Sequence, residues 1–428
     1  MQTPVYDFLE EYRKKNILRL HMPGHKGKAV KPLSFEHDIT EISGADSLFE
    51  AEGIINKSEE NAARLFKTLK TCYSTGGSTL CIQTMLAIAK RDKRTVIASR
   101  NVHRSFLSAC VLLDIQPEWL YPHYTAGFLS GEISLYDLEE KLKNTPDACV
   151  YITSPDYLGK MADIRSIAKL CHKYNGILIV DNAHGAHNAG NENHPVICGA
   201  DMCCDSAHKM LPALTGGAYL HINNEKYLEF AKPAMSMFGS TSPSYLIMAS
   251  LDLCNDYIEN RLETDTKNTL SALCRLREKI SFKYKIYQSE AFHLTLLCDG
   301  NALAEELRQK GIECEYADKY CIVLLFSPIN SEAEIEKTAD ILIGCTPEPC
   351  EEFTQFEISQ PEIAMTVREA SLSDYEQINV DKSLGRICAM VSVPCPPAVP
   401  IAVSGEVIDK KTIEIFKKYG ISSVNVLK

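Results

Sequence analysis

Two neighbouring stretches decide the fold: HKYNGILIVDNAHGAH, residues 172–187, and ADMCCDSAHKMLPALTGGAYLHI, residues 200–222. Ile177, Leu178, Ile179 and Val180 are apolar without a break, the pattern of a strand buried on both faces, and the run ends on Asp181. Residues 201–204 and 218–222 read as short strands on either side of the Gly-containing segment SAHKMLPALTGG. Towards the N-terminus the same alternation continues. Helices are expected at 164–174, from about 104 to 113, from Gly76-Gly77-Ser78-Thr79 onward and at 61–70; strands are expected at 149–153, 95–99 and 71–74. Such units predict a mainly parallel α/β sheet with helices on both faces. Ligands of these sheets bind at the carboxyl ends of the strands, and the polar clusters of the sequence fall there.

Towards the C-terminus the texture changes. A long helical stretch (244–280) precedes mixed strand-like and helical runs from 284 to 322, a polar segment near 345–360, a helix-like run at 372–382 and a final helix–strand pair. The expected division is an N-terminal helix and arm (1–57), a large ligand-binding domain (58–282) and a smaller C-terminal domain (283–428). The helix of the first part is placed at 5–16. Its arm is rich in Gly, Pro, His and charge and has no clear period.

Composition excludes several classes. The 428 residues are 45% hydrophobic and 24% charged, which is globular usage. A net charge of 45 − 56 = −11 argues against a phosphate-backbone binder. No run approaches the roughly 18 apolar residues of a membrane span. The start, MQTPVYDFLEEYRKKN, carries acidic residues where a secretory signal needs a basic, then apolar, run. The 17 cysteines are odd in number, contain no CxxC pair and sit mostly in apolar runs, so reduced thiols in a cytoplasmic protein are expected. Of the 12 histidines, 11 lie before residue 222, which points to chemistry in the first half.

Lys209 follows a strand and precedes a Gly-containing turn, so it lies at the sheet edge, where a partly buried lysine can form a Schiff base. Asp181, at the end of a buried strand, can hold a cofactor nitrogen protonated, or can simply cap a turn. Gly76-Gly77-Ser78-Thr79 at a helix start suits an anion, although such turns are common. His103, just after a strand, can stack on a flat ring or serve as an ordinary loop residue. Asp181, His184 and His187 lie within seven residues of one another and suggest a metal-hydrolase alternative, but HExxH is absent and no metal is expected.

These segments together resemble the Orn/Lys/Arg decarboxylase family of fold-type I pyridoxal phosphate enzymes. The resemblance rests on seven motifs in order: HMPGHKG (21–27); Asp38-Ile39-Thr40-Glu41 with Gly44-Ala45-Asp46; the Gly-Ser-Thr loop at 77–79; Arg100-Asn101-Val102-His103; SPDYLG (154–159); Asp181-x-Ala183-His184-Gly185-Ala186-His187 with Ser206-x-His208-Lys209; and PPAVPIAVSGE (396–406). It implies an aspartate aminotransferase-like large domain, pyridoxal 5′-phosphate as cofactor, and decarboxylation of arginine, lysine or ornithine to a polyamine precursor. By the same resemblance Lys209 is the Schiff-base lysine, Asp181 the pyridine-nitrogen partner and His103 the stacking residue. Gly77, Ser78, Thr79, Ser206 and His208 would hold the phosphate, Ala183 would pack under the ring, and His184 would lie near the ring oxygen and the substrate carboxylate. His184 or Lys209 would return a proton to the substrate carbon. His25, Glu41, Asp46 and Glu406 are the candidate partners of a cationic substrate. The arm is expected to complete a partner's site in a homodimer or dimer of dimers, since the wing of the large inducible bacterial decarboxylases does not precede it. No nucleic acid or membrane partner is expected. Asn182, Met210, Arg104, Gly216, Ala398 and Ser404 depart from the family pattern, and none removes a group that the chemistry requires. The alternative within the same fold is an aminotransferase or another lyase.

Overall fold

In a computed structural model, which describes residues 15–20, 24, 26, 39–41, 44–127, 129–350, 360–390 and 399–428, seven strands form the central sheet. They are β1 (Lys70–Ser74), β2 (Val96–Ser99), β3 (Glu118–Leu120), β4 (Cys149–Thr153), β5 (Ile177–Asp181), β6 (Met202–Asp205) and β7 (Ala218–Ile222), in the order β1-β7-β6-β5-β4-β2-β3. Strand β7 runs antiparallel to both neighbours, and the other pairings are parallel. Helix α1 (Ile54–Phe66) leads into β1, and α2 (Gly77–Arg91), α3 (Arg104–Leu113), α4 (Leu135–Asn144) and α5 (Ile164–Lys173) connect successive strands. The unbroken apolar run of β5 has a simple cause. Ile177 and Ile179 pack on the side of α2 and α3, whereas Leu178 and Val180 pack on the side of α4 and α5.

The long helical stretch divides at Arg261 into α6 (Tyr245–Asn260) and α7 (Leu262–Ile280). A second, four-stranded antiparallel sheet follows, of β8 (Lys285–Ile286), β9 (His293–Leu297), β10 (Tyr316–Ala317) and β11 (Cys321–Leu325), in the order β8-β9-β11-β10. One apolar core joins this sheet to α1, α6 and α7, so the second sheet is held firmly beside the first.

Two expectations need correction. Helix α1 begins at Ile54 and ends at Phe66 rather than spanning 61–70, because Lys67 turns left-handed (φ 56°) and frees Lys70 for β1. The run 372–382 is not a helix: β12 (Tyr375–Asn379) pairs antiparallel with β13 (Ser423–Leu427), with a short 3-10 turn at Val380–Lys382. Leu372, Tyr375 and Ile378 share a helical spacing, but a strand almost fifty residues away satisfies this backbone instead. Of the expected helix at 5–16, residues 5–14 lie outside the described residues, and Lys15 and Asn16 form a turn, with Asn16 left-handed (φ 48°). The described cysteines are unpaired and mostly buried, and among the described residues no helix is long and apolar enough to cross a membrane.

Glu406, a candidate substrate partner, is committed to the fold. It is buried against buried Arg100, whose Nη2 lies 3.0 Å from Glu406 Oε2. The same guanidinium donates to the carbonyls of Pro400 (2.9 Å) and Ile401 (3.1 Å), so it fixes the C-terminal segment to the end of β2. Glu406→Gln would leave Arg100 buried without a counter-charge and is expected to cost about 3–5 kcal/mol in a urea melt. A loss under about 1 kcal/mol would reduce the pair to the weight of a surface bridge.

Candidate active site

The carboxyl edge of the central sheet collects the polar residues. Asp181, the last residue of β5, is buried. Its Oδ1 accepts from the Ala183 amide (3.2 Å) and lies 3.7 Å from Cys204 Sγ, while its Oδ2 accepts from Tyr151 Oη at 3.3 Å. Burial raises its carboxyl above the usual range and the Lys209 ammonium opposes that rise. Ala183 is buried beside it.

Lys209 sits on a single helical turn (Ala207–Met210) that opens directly off β6. Its charge acts on Asp181, His103 and His184 alike, so these four groups share one site. Around it three chain segments are tied together. Ser206 Oγ donates to Ser78 Oγ (2.8 Å), His208 Nδ1 meets the Gly217 carbonyl (3.0 Å), and the Gly77 amide donates to the Gly216 carbonyl (2.8 Å). Gly216 has φ +95°, a backbone that favours glycine, which accounts for its departure from the family pattern. Helix α2 begins at Gly77 with no side-chain cap, and nothing stands within 4 Å of where a Gly77 Cβ would be. The uncapped first turn, with Ser78 and Thr79, stands at the positive end of the helix dipole, a place that suits an anion.

His103 caps α3, and its Nδ1 accepts from the Ser105 amide at 3.2 Å, which leaves the proton on Nε2. Burial, helped by Lys209 and Arg104, brings it down to about 3, so the ring is neutral at working pH and presents an uncharged face.

His184 is buried and lies 5.5 Å from the Tyr157 ring. Burial first, then Lys209 and His293, hold it far below the usual histidine range. Its Nδ1 lies 3.0 Å from Nε2 of His293, on β9 of the second sheet. The ring planes are 18° apart with centroids 5.3 Å apart, which is an edge-to-edge bond in the plane of both imidazoles. On its far side His293 Nδ1 bonds Glu290, and the other oxygen of Glu290 lies 3.4 Å from His187 Nε2. Burial would raise Glu290, but His293 and His187 outweigh it and hold the carboxyl ionised, well below its ordinary value. His293 and Glu290 belong to no motif of the first half, and their one signal in the sequence is that His293 is the sole histidine after residue 221.

The arm reaches this site through Gly24, whose amide bonds the His208 carbonyl and whose own carbonyl accepts from Ser327 Oγ at 2.8 Å. A Cβ on Gly24 would stand 2.6 Å from the Lys209 carbonyl and 2.7 Å from the Leu211 amide. Gly24→Ala must therefore move the lysine turn, and kcat is expected to fall about 10–100-fold without unfolding; an unchanged kcat beside an unchanged melting curve would show that the arm yields instead.

The proposed substrate carboxylates do not gather here. Asp46 accepts from the amides of Ser47, Glu52, Gly53, Ile55 and Asn56, so it caps the approach to α1. Burial pushes its carboxyl up, and these amides together outweigh that and lower it. Glu41 is exposed, and His25 lies outside the described residues. Asp181, His184 and His187 form no shared metal-binding group among the described residues, and His187 instead faces Glu290 and the edge of Phe292.

Comparison with known proteins agrees with this geometry. The family model "Orn/Lys/Arg decarboxylase, major domain" matches residues 3–297, and the model of the C-terminal domain of the same family matches residues 351–419. The uncharacterized protein YaaO of Bacillus subtilis is 29% identical, over 97% of this chain and 93% of that protein. An arginine decarboxylase of the same bacterium is 28% identical over the same shares. The solved constitutive lysine decarboxylase of Escherichia coli superposes with a TM-score of 0.77 at 19% identity, covering 100% of this chain and 82% of that one. Pyridoxal 5′-phosphate, the cofactor of these enzymes, fits the residues present: an uncapped helix start with room at Gly77 for its phosphate, a buried carboxylate for its pyridinium, and a lysine amine whose charge acts on that carboxylate. The chain belongs to the Orn/Lys/Arg decarboxylase family of pyridoxal phosphate-dependent enzymes.

Proposed function

We propose that the enzyme decarboxylates a basic amino acid, arginine ahead of lysine and ornithine, to an amine that feeds polyamine synthesis. The observation that carries this reading is the meeting of Lys209, Asp181, His103 and His184 in one site. Arginine is placed first because the arginine decarboxylase of Bacillus subtilis matches along nearly its whole length. The unpaired thiols suit the cytoplasm, and a homodimer or dimer of dimers is the proposed assembly.

Lys209 would hold the cofactor through Nζ, Asp181 would face its ring nitrogen and His103 its ring face. Gly77, Ser78, Thr79, Ser206 and His208 would hold its phosphate, with Ala183 beneath the ring. When bound, the cofactor supplies an electron sink for the pair left on Cα as CO₂ departs. The chain's own task is to keep Asp181 ionised and to return one proton to Cα.

His184 suits the second task. A buried neutral imidazole can give up the proton on Nε2 only if Nδ1 is reprotonated at once. His293 stands at hydrogen-bond distance from that Nδ1, and the Glu290 carboxylate lies behind it. A proton on His293 can pass to His184 Nδ1 as the Nε2 proton leaves for Cα, so His184 is never left charged. One proton is consumed per CO₂ released, and solvent restores it to His293.

The test is a panel of arginine, lysine and ornithine with the loaded enzyme. The expected result is CO₂ and an equal amount of the matching amine, fastest from arginine. Formation of a keto acid without CO₂ would replace this reading with aminotransfer.

A further inference from the structure

On the sheet face turned away from Asp181 lies a second cluster that the decarboxylase reading does not use. His194, Cys203, Asp205 and His221 are each 0% exposed, and one ligand atom from each lies within 4.8 Å of all the others. We infer that these four residues form a structural zinc site at the carboxyl end of β6.

The spacing is that of ligands sharing one ion. With metal–nitrogen and metal–oxygen bonds of about 2.0–2.1 Å, tetrahedral ligand atoms stand about 3.3 Å apart, and two imidazoles have centroids about 5 Å apart. Here Asp205 Oδ2 is 3.0 Å from His194 Nε2 and 3.4 Å from His221 Nε2, and the two ring centroids are 5.2 Å apart at 88°. Cys203 Sγ lies 3.9 Å from the other carboxylate oxygen, Asp205 Oδ1, and within 4.8 Å of the other ligand atoms, which leaves room for the longer zinc–sulfur bond of about 2.3 Å.

A second observation points the same way. His221 Nε2 is fully buried and faces Asp205, yet makes no hydrogen bond among the described residues. Its other nitrogen is fixed by Thr71 Oγ1 at 2.8 Å, and Asp205 Oδ1 accepts from Asn182 Nδ2 at 2.7 Å. Outer partners of this kind orient metal ligands. The Phe66 ring covers both histidines, with centroids 5.3 Å and 4.3 Å away, and keeps the site dry.

Two neutral imidazoles, a carboxylate and a thiolate match a borderline-soft dication better than magnesium or calcium. Binding releases the Cys203 proton to solvent, and the site's charge sums to zero. The ion would join β6, β7 and the loop after β5. Asp205 immediately precedes Ser206 and the lysine turn, and Asn182 follows Asp181. A zinc there braces both cofactor-binding segments from behind. It also gives the Asn182 departure a role, since Asn182 holds a ligand.

The test uses the cofactor-loaded enzyme, produced with zinc or with cobalt in the medium and dialysed against EDTA. Elemental mass spectrometry is expected to find about one zinc per chain, resistant to the chelator because all four ligands are buried. The cobalt form should show the charge-transfer absorption of thiolate ligation. Cys203→Ser should lose that absorption, and His221→Ala most of the metal. Should neither variant fold, the metal count and cobalt spectrum of the unaltered enzyme decide alone. Folded, loaded enzyme without stoichiometric metal, or a cobalt spectrum without sulfur ligation, would overturn the site and leave a His–Asp–His hydrogen-bond cluster.

Discussion

Lys209→Ala is expected to lower kcat at least about 10³-fold and to remove the visible absorption of covalently held cofactor. The melting temperature should stay within about 3 °C. The two effects separate because of where Lys209 stands. It is half-buried on a one-turn helix whose backbone is tied by Gly24 and Ser206, and none of those ties uses the lysine side chain. The chemistry depends on Nζ twice. It is the amine that would hold the cofactor, and it is the charge that opposes the burial of Asp181. Without it the Asp181 carboxyl drifts further up and becomes a poorer partner for a pyridinium. Added primary amine should restore part of the rate, since it returns the amine without the tether. Full turnover in the variant would remove Lys209 from the reaction and the present reading with it.

The contrast between Lys209 and Asp46 shows what a sequence can carry. The helix from about 104 to 113 and the strand Cys149–Thr153 are legible, because apolar spacing within a short segment is a local signal. Lys209, Asp181, His103 and Ser206 are legible because strand ends in an α/β sheet share one edge. Asp46 and Glu406 are right in type for a cationic substrate, but the direction of a carboxylate is not written locally. Five amides claim the first and a buried arginine the second. The helix expected at 372–382 fails for a related reason, since its partner strand lies at the end of the chain. His293 is the clearest case. In sequence it is one polar residue at the start of an apolar strand, and only the packing of the second sheet against the first brings it to His184.

That placement makes the relay the most informative target after the lysine. His293→Phe keeps a flat ring in the core but ends proton return to His184 Nδ1, so kcat should fall about 10²–10³-fold with KM little changed. His184→Asn should cost as much, and the double variant no more than either alone, as members of one unit do. Glu290→Gln distinguishes a relay from mere packing. The Glu290 carboxylate bonds His293 Nδ1, at the far end of the relay. Removing the carboxylate should change the pH profile of kcat, with a rate loss near the optimum of only about 10-fold. Among the described residues, the other charged or titratable groups facing the pair include Lys209, His103 and Tyr157 on the site side and Asp156, His187 and Arg277 around Glu290 and His293, and Glu290→Gln leaves all of them in place. In deuterated solvent the unaltered enzyme should show a solvent isotope effect on kcat that grows in His293→Phe, as proton return becomes limiting. If His293→Phe and Glu290→Gln lose stability but keep the kcat profile and its isotope effect, the second sheet only props His184, and the proton reaches Cα from Lys209.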